Sequence, residues 1–148
     1  MLRRRHILVP WLASTVVMFG LSFAWHGIAL NDLRELKVPI ALYLCLSALA
    51  YLIIGLGITV MIHQFIQHKW IVIKNGFPMM GLLAGIVVGF VVYLLAFIFG
   101  MSFADHRMMH VLVDVLWQMV EQGLGGLLVS LGIIYDMHQS FLEHERAR

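Results

Sequence analysis

Three stretches of this chain, roughly residues 8–30, 39–63 and 77–101, contain no Asp, Glu, Lys or Arg, and a fourth, 108–135, contains only Asp114 and Glu121. An apolar run of about 20 residues is long enough to cross the hydrocarbon of a bilayer as a helix. In lipid every backbone N–H needs an internal partner, and runs of this length meet that need as helices rather than barrel strands. The sequence therefore predicts an all-α integral membrane protein with four transmembrane helices.

Composition agrees. Of the 148 residues, 61% are hydrophobic and 12% charged, against about a quarter charged in ordinary soluble domains. Such a chain cannot cover its apolar surface with polar groups. The net charge of +2 gives no basic patch for nucleic acid, and the expected surroundings are the lipid bilayer and other membrane subunits, or further copies of the chain.

The cationic residues cluster at span ends, and their sidedness orients the bundle. With the N-terminus inside, Arg3, Arg4, Arg5, Lys69, Lys74, Arg146 and Arg148 lie on the inner side, and Arg34, Lys37 and Arg107 on the outer. By the positive-inside rule both termini are expected to be cytoplasmic, in a bacterial inner (plasma) membrane. The segment "MLRRRHILVPWLASTVVMFG" resembles a signal peptide in its basic start. Its apolar run is long and lacks a small-x-small cleavage site, so it reads as a retained first span.

The connections are short. "NDLRELKVP" (31–39) precedes the second span, and Pro39 suits a helix start. "QFIQHKWIVIKNGFP" (64–78) is the longest, with Trp70 and its lysines suited to the headgroup zone. "SFADHR" (102–107) is a tight turn, and the end "EHERAR" reads as a charged tail. One domain over 1–148 follows, an up-down four-helix bundle.

Gly81, Gly85 and Gly89 form a doubled G-x-x-x-G on the third span, and Gly125 and Gly132 lie on the fourth. Small residues at this step let helix backbones approach closely. They are expected to pack helices, either within the bundle or between subunits. Tyr43, Ser47 and Tyr51 share one face of the second span, as expected of a hydrogen-bonding seam. The lone Cys45 lies within that span, so no internal disulfide can form.

The fourth span carries a polar stripe. At about 100° per residue, and with His106 as zero, His110 falls near ~40°, Asp114 near ~80°, Trp117 near ~20° and Glu121 near ~60°. Gly125, Gly132, Tyr135 and Gln139 continue that arc, and aliphatic residues fill the opposite one. A carboxylate facing lipid costs about 2.5–3.5 kcal/mol even on lenient scales, so the stripe must face other helices or water. Glu121 lies about half-way down the span. On the first span, His26 and Asp32 are expected at the level of His106, His110 and Asp114.

Four readings fit these residues. Glu121 handles a proton or cation, with the His/Asp group as entrance or relay. His106, His110 and Asp114 bind a metal, and the neighbouring methionines favour a soft, copper-like ion. His26 or His110 ligates haem or a pigment, or lines a quinone pocket. Or the stripe is a structural seam that fixes helix register.

No phosphate-cradling Gly loop, nucleophile elbow, HExxH or CxxC occurs, and the extramembrane segments are too short for a catalytic domain. Two classes of function remain. One is a non-catalytic subunit or accessory protein of a membrane complex or homo-oligomer, packed through its glycine faces. The other is a small oligomeric proton- or cation-coupled transporter or channel using Glu121.

Overall fold

A computed structural model describes residues 5–31, 33, 39–70, 76–98 and 108–146, with side chains from Ile7 onward in the first helix and from Val111 onward in the last. It contains α1 (Arg5–Phe23), α2 (Ile40–Gln67), α3 (Phe77–Ile98) and α4 (Met108–Arg146), with a π-helical turn, Ala24–Ala29, prolonging α1. All four helices are long and apolar enough to cross a membrane, and no strand occurs among the described residues. The four fit an integral membrane protein.

The register of the packing shows that neighbours run antiparallel. Pro10, Met18 and Trp25 of α1 meet Gly132, Gly125 and Trp117 of α4 in turn. Gly81, Gly85 and Gly89 of α3 meet Gly126, Gln122 and Gln118. Trp11, Thr15 and Phe19 of α1 descend α2 past Leu52 and Tyr51, and His26 reaches the level of Tyr43. Helix α4 is the central element, flanked by α1 on one side and α3 on the other. Helix α2 packs chiefly on α1 and also touches α4 and α3.

Two of the helices outrun their apolar cores. The spans expected to end at 63 and 135 continue as helix to Gln67 and Arg146. Hydropathy records where lipid ends, whereas a helix ends where its backbone finds a stop. For α2 that stop is a Schellman turn. Trp70 N donates to Phe65 O at 2.9 Å and Lys69 N to Ile66 O at 3.0 Å, with Lys69 held at φ 59°. The Phe65 and Trp70 rings then close over the turn, centroids 5.4 Å apart. The 39 residues of α4 measure about 58 Å at 1.5 Å per residue, roughly twice the bilayer hydrocarbon. The charged tail "EHERAR" is thus helical through Arg146, with Glu143 to Arg146 exposed on it.

A small apolar core, Met18, Tyr51, Ile58, Ile62, Phe77, Val129 and Ile133, is buried together with polar groups. The interior holds Ser14, Thr15, Thr59, Glu121, Gln122 and Ser130, all at most 7% exposed, whereas Val16, Ile53 and Leu116 are 62–68% exposed. Helices in lipid gain nothing by hiding leucine from their solvent, so close packing of small residues and hydrogen bonds hold them together. Four of the six buried polar residues are small hydroxyl side chains. Ser14, Thr59 and Ser130 satisfy themselves by donating to carbonyls of their own helix. Thr15 Oγ1 donates instead across the interface to Tyr51 O at 3.3 Å, and Trp11 Nε1 donates to Leu52 O at 2.8 Å. These two bonds fix the height of α2 against α1.

Candidate functional site

Glycine brings α4 within backbone contact of α3. A Cβ on Gly85 would collide with the Gln122 carbonyl, and one on Gly89 would stand 2.6 Å from the Gln118 carbonyl oxygen. The Gly81 backbone meets Gly126 and Ser130 in the same way. On the opposite side the Met18 thioether occupies the space over Gly125, and the Pro10 ring lies 3.0 Å from where a Gly132 Cβ would stand. The glycine faces named from the sequence are thus turned inward, against helices of the same chain. They clamp α4 on both sides, and the polar face between the clamps is turned inward.

Glu121 is one of these residues. It is 0% exposed, as is its neighbour Gln122. Gln122 Nε2 donates to Glu121 Oε1 at 3.5 Å, a long bond. The Tyr51 hydroxyl from α2 and the Trp117 indole, one turn back on α4, are hydrogen-bonding neighbours of the same carboxyl. Ser22 of α1 is in turn a hydrogen-bonding neighbour of Tyr51. No cation among the described residues acts on this carboxyl. Three helices meet at one acidic group.

The polar groups here are not fully matched. Glu121 Oε2, Gln122 Oε1 and Trp117 Nε1 each lack a partner of full hydrogen-bond geometry, whereas the large majority of buried polar atoms have one. Above the carboxyl, Trp117 stacks on Trp25 with ring centroids 4.4 Å apart and planes 13° from parallel. Trp25 belongs to the π-helical turn, and such turns in α-helices are frequent at functional sites. The turn is closed by the Leu30 N–H donating to Trp25 O at 2.9 Å.

A cleft lies between α1 and α2 on the same level. Ser22 and His26 from the first helix and its π turn line it, with Tyr43 and Ser47 from α2 and an apolar rim that includes Phe19 and Phe23. It is shallow, with room for about one water molecule, and open on one side. Its polar wall is the seam read from the i, i+4 spacing of Tyr43, Ser47 and Tyr51. The spacing alone did not say what the seam faces, and the fold turns its last member onto Glu121.

The other residues of the stripe distribute unevenly. Asp114 is half-buried and acts on Tyr93 of α3, on the far side of α4 from the cleft that His26 lines. Asp32 and His106 lie outside the described residues, as does the side chain of His110. Among the described residues no three His, Cys, Asp or Glu side chains gather as a metal would require. Tyr135, placed on the stripe by helical angle, is 63% exposed. Gln122, Trp25 and Tyr51 are the members of the site that helical angles on α4 alone could not supply.

No family model, curated protein or solved structure matches the chain. A functional reading therefore rests on the geometry around Glu121.

Proposed function

We propose that the chain is a small transporter or channel-like protein of a bacterial inner membrane that exchanges a proton or small cation at Glu121. Both termini are cytoplasmic in this reading, and the working unit is an oligomer, since four helices enclose little pathway by themselves. The observation that carries it is a carboxyl buried where three helices meet, with polar but no cationic neighbours among the described residues. Intramembrane acids are expensive to bury and commonly mark ion or proton pathways. A carboxyl needed only as a register peg would be served better by a neutral amide, which costs less to desolvate.

The test is flux in proteoliposomes. Glu121→Gln keeps the shape of the side chain and removes its titration, so proton-linked flux should vanish while the helical content stays. Flux equal to the parent's would refute the reading. Reporter fusions at each end test the orientation, and both should report from the cytoplasmic side.

A second reading, an accessory subunit of a larger membrane complex, is supported by the length of α4. Its last turns, with His138, Glu143, His144 and Glu145 exposed, extend past the apolar bundle. The inward-turned glycine stripe offers such a partner no surface, so the contact would have to use this extension. Purification in mild detergent separates the two readings. Recovery with other subunits favours the accessory role, and recovery as a homo-oligomer favours the transporter.

A further inference from the structure

The geometry points to a proton rather than a metal cation as the species exchanged, with Ser22 and Tyr51 carrying it between the α1–α2 cleft and Glu121. This inference rests on the reading of Glu121 as an exchange site, and it adds the species and the route.

The species follows from the donor set. A hard metal cation takes about six or more oxygen ligands. The described side-chain groups that reach the Glu121 carboxyl are the Tyr51 hydroxyl, the Trp117 indole N–H and the Gln122 amide nitrogen. One carboxylate among O–H and N–H donors holds a proton readily and a dehydrated cation poorly. The cleft agrees, because its enclosed part has room for about one water molecule. That admits water but not a hydrated ion.

The route follows from contacts that run in sequence. Ser22 lines the cleft. It is a hydrogen-bonding neighbour of Tyr51, and Tyr51 is one of Glu121. Transfer inward is a pair of hops. The Tyr51 hydroxyl gives its proton to the Glu121 carboxylate as it takes one from the Ser22 hydroxyl, and Ser22 is reprotonated by a hydronium ion in the cleft, which is left as water. Each hydroxyl loses one proton and gains one, so both end unchanged and no oxidant or reductant is needed.

The titratable groups around Glu121 are few. From α2 they are Tyr51 and, farther along, Tyr43; from α1, His26, one turn beyond Ser22 at the cleft. On α4 itself Asp114 lies two turns away, and α3 presents Gly85 and Gly89 at this level, with Tyr93 turned toward Asp114. His26 at the cleft is the group placed to pass protons between Ser22 and the aqueous side.

The test uses the full-length protein in liposomes and infrared difference spectroscopy after a pH jump. The carboxylic-acid band that disappears in Glu121→Gln identifies the group, and its rise time measures protonation. Tyr51→Phe keeps the ring that packs on Phe19 and removes only the hydroxyl, and it should slow the rise by about a hundredfold. Ser22→Ala should slow it comparably, and Tyr93→Phe should leave it unchanged. Circular dichroism verifies the fold of each variant. A Tyr51→Phe and a Ser22→Ala protein that both protonate as fast as the parent overturn the route while leaving Glu121 as the exchanging group. A band that responds to sodium, potassium or calcium at fixed pH overturns the assignment to a proton. If no band titrates in the parent, the exchange site itself falls, and the route with it.

Discussion

Trp25 and Trp117 stack almost face to face, ring centroids 4.4 Å apart, and the pair joins the π-helical turn after α1 to the turn of α4 that precedes Glu121. The stack is the lid of the buried carboxyl. It also ties that π turn to the only deeply buried acid among the described residues.

An offset aromatic pair contributes about 0.5–1.5 kcal/mol beyond the area it buries. Trp25→Leu and Trp117→Leu should each destabilise the bundle, and the double variant should lose less than the sum by about that coupling. Reversible unfolding in mixed detergent micelles measures it. Strict additivity would mean the stack carries no energy of its own.

The glycine clamp makes an asymmetric forecast. Gly85→Ala pushes a methyl group into the Gln122 carbonyl, so α3 must withdraw from α4, at a cost of about 1–3 kcal/mol. Gly57 on α2 has nothing within 4 Å of its prospective Cβ, so Gly57→Ala should be neutral or stabilising by up to about 1 kcal/mol through helix propensity. Unfolding midpoints of the two variants should move in opposite directions or differ clearly in size. Equal shifts would contradict the packing register.

Lys69 occupies the left-handed position of the α2 Schellman turn at φ 59°, where glycine is the usual residue. Left-handed backbone costs an L-residue roughly 1–2 kcal/mol. Lys69→Gly should therefore stabilise the folded state by an amount approaching that, less the extra entropy glycine has when unfolded. A loss of stability would imply that the Lys69 side chain contributes more than its backbone costs.

Cys45 is exposed on the flank of α2 with Leu42, Leu46 and Leu49. If this flank faces lipid, its thiol is out of reach of a water-soluble reagent. A membrane-impermeant maleimide should leave intact membranes unlabelled, and solubilisation in a denaturing detergent should expose the site. Rapid labelling in intact membranes would place Cys45 in water and contradict a spanning α2.

The sequence by itself determined that there are four helices, roughly where they lie, and that Glu121 must be turned away from lipid. These conclusions need only local physics: backbone hydrogen bonds in an apolar solvent, the expense of a carboxylate in hydrocarbon, and the 100° step of a helix. The i, i+4 spacing of Tyr43, Ser47 and Tyr51 likewise marked a polar face on α2. What lies opposite each face was not legible, because the angle between two helices and their relative height leave no periodic trace in either one. Tertiary packing decided that Gly81, Gly85 and Gly89 close on α4 of the same chain, that Tyr51 reaches Glu121, and that Trp25 caps it from a π turn. Helix ends also escaped the hydropathy pattern. Lys69 stops α2 through a backbone conformation its side chain does not favour, and α4 continues to Arg146 because no stop signal intervenes where the apolar run ends.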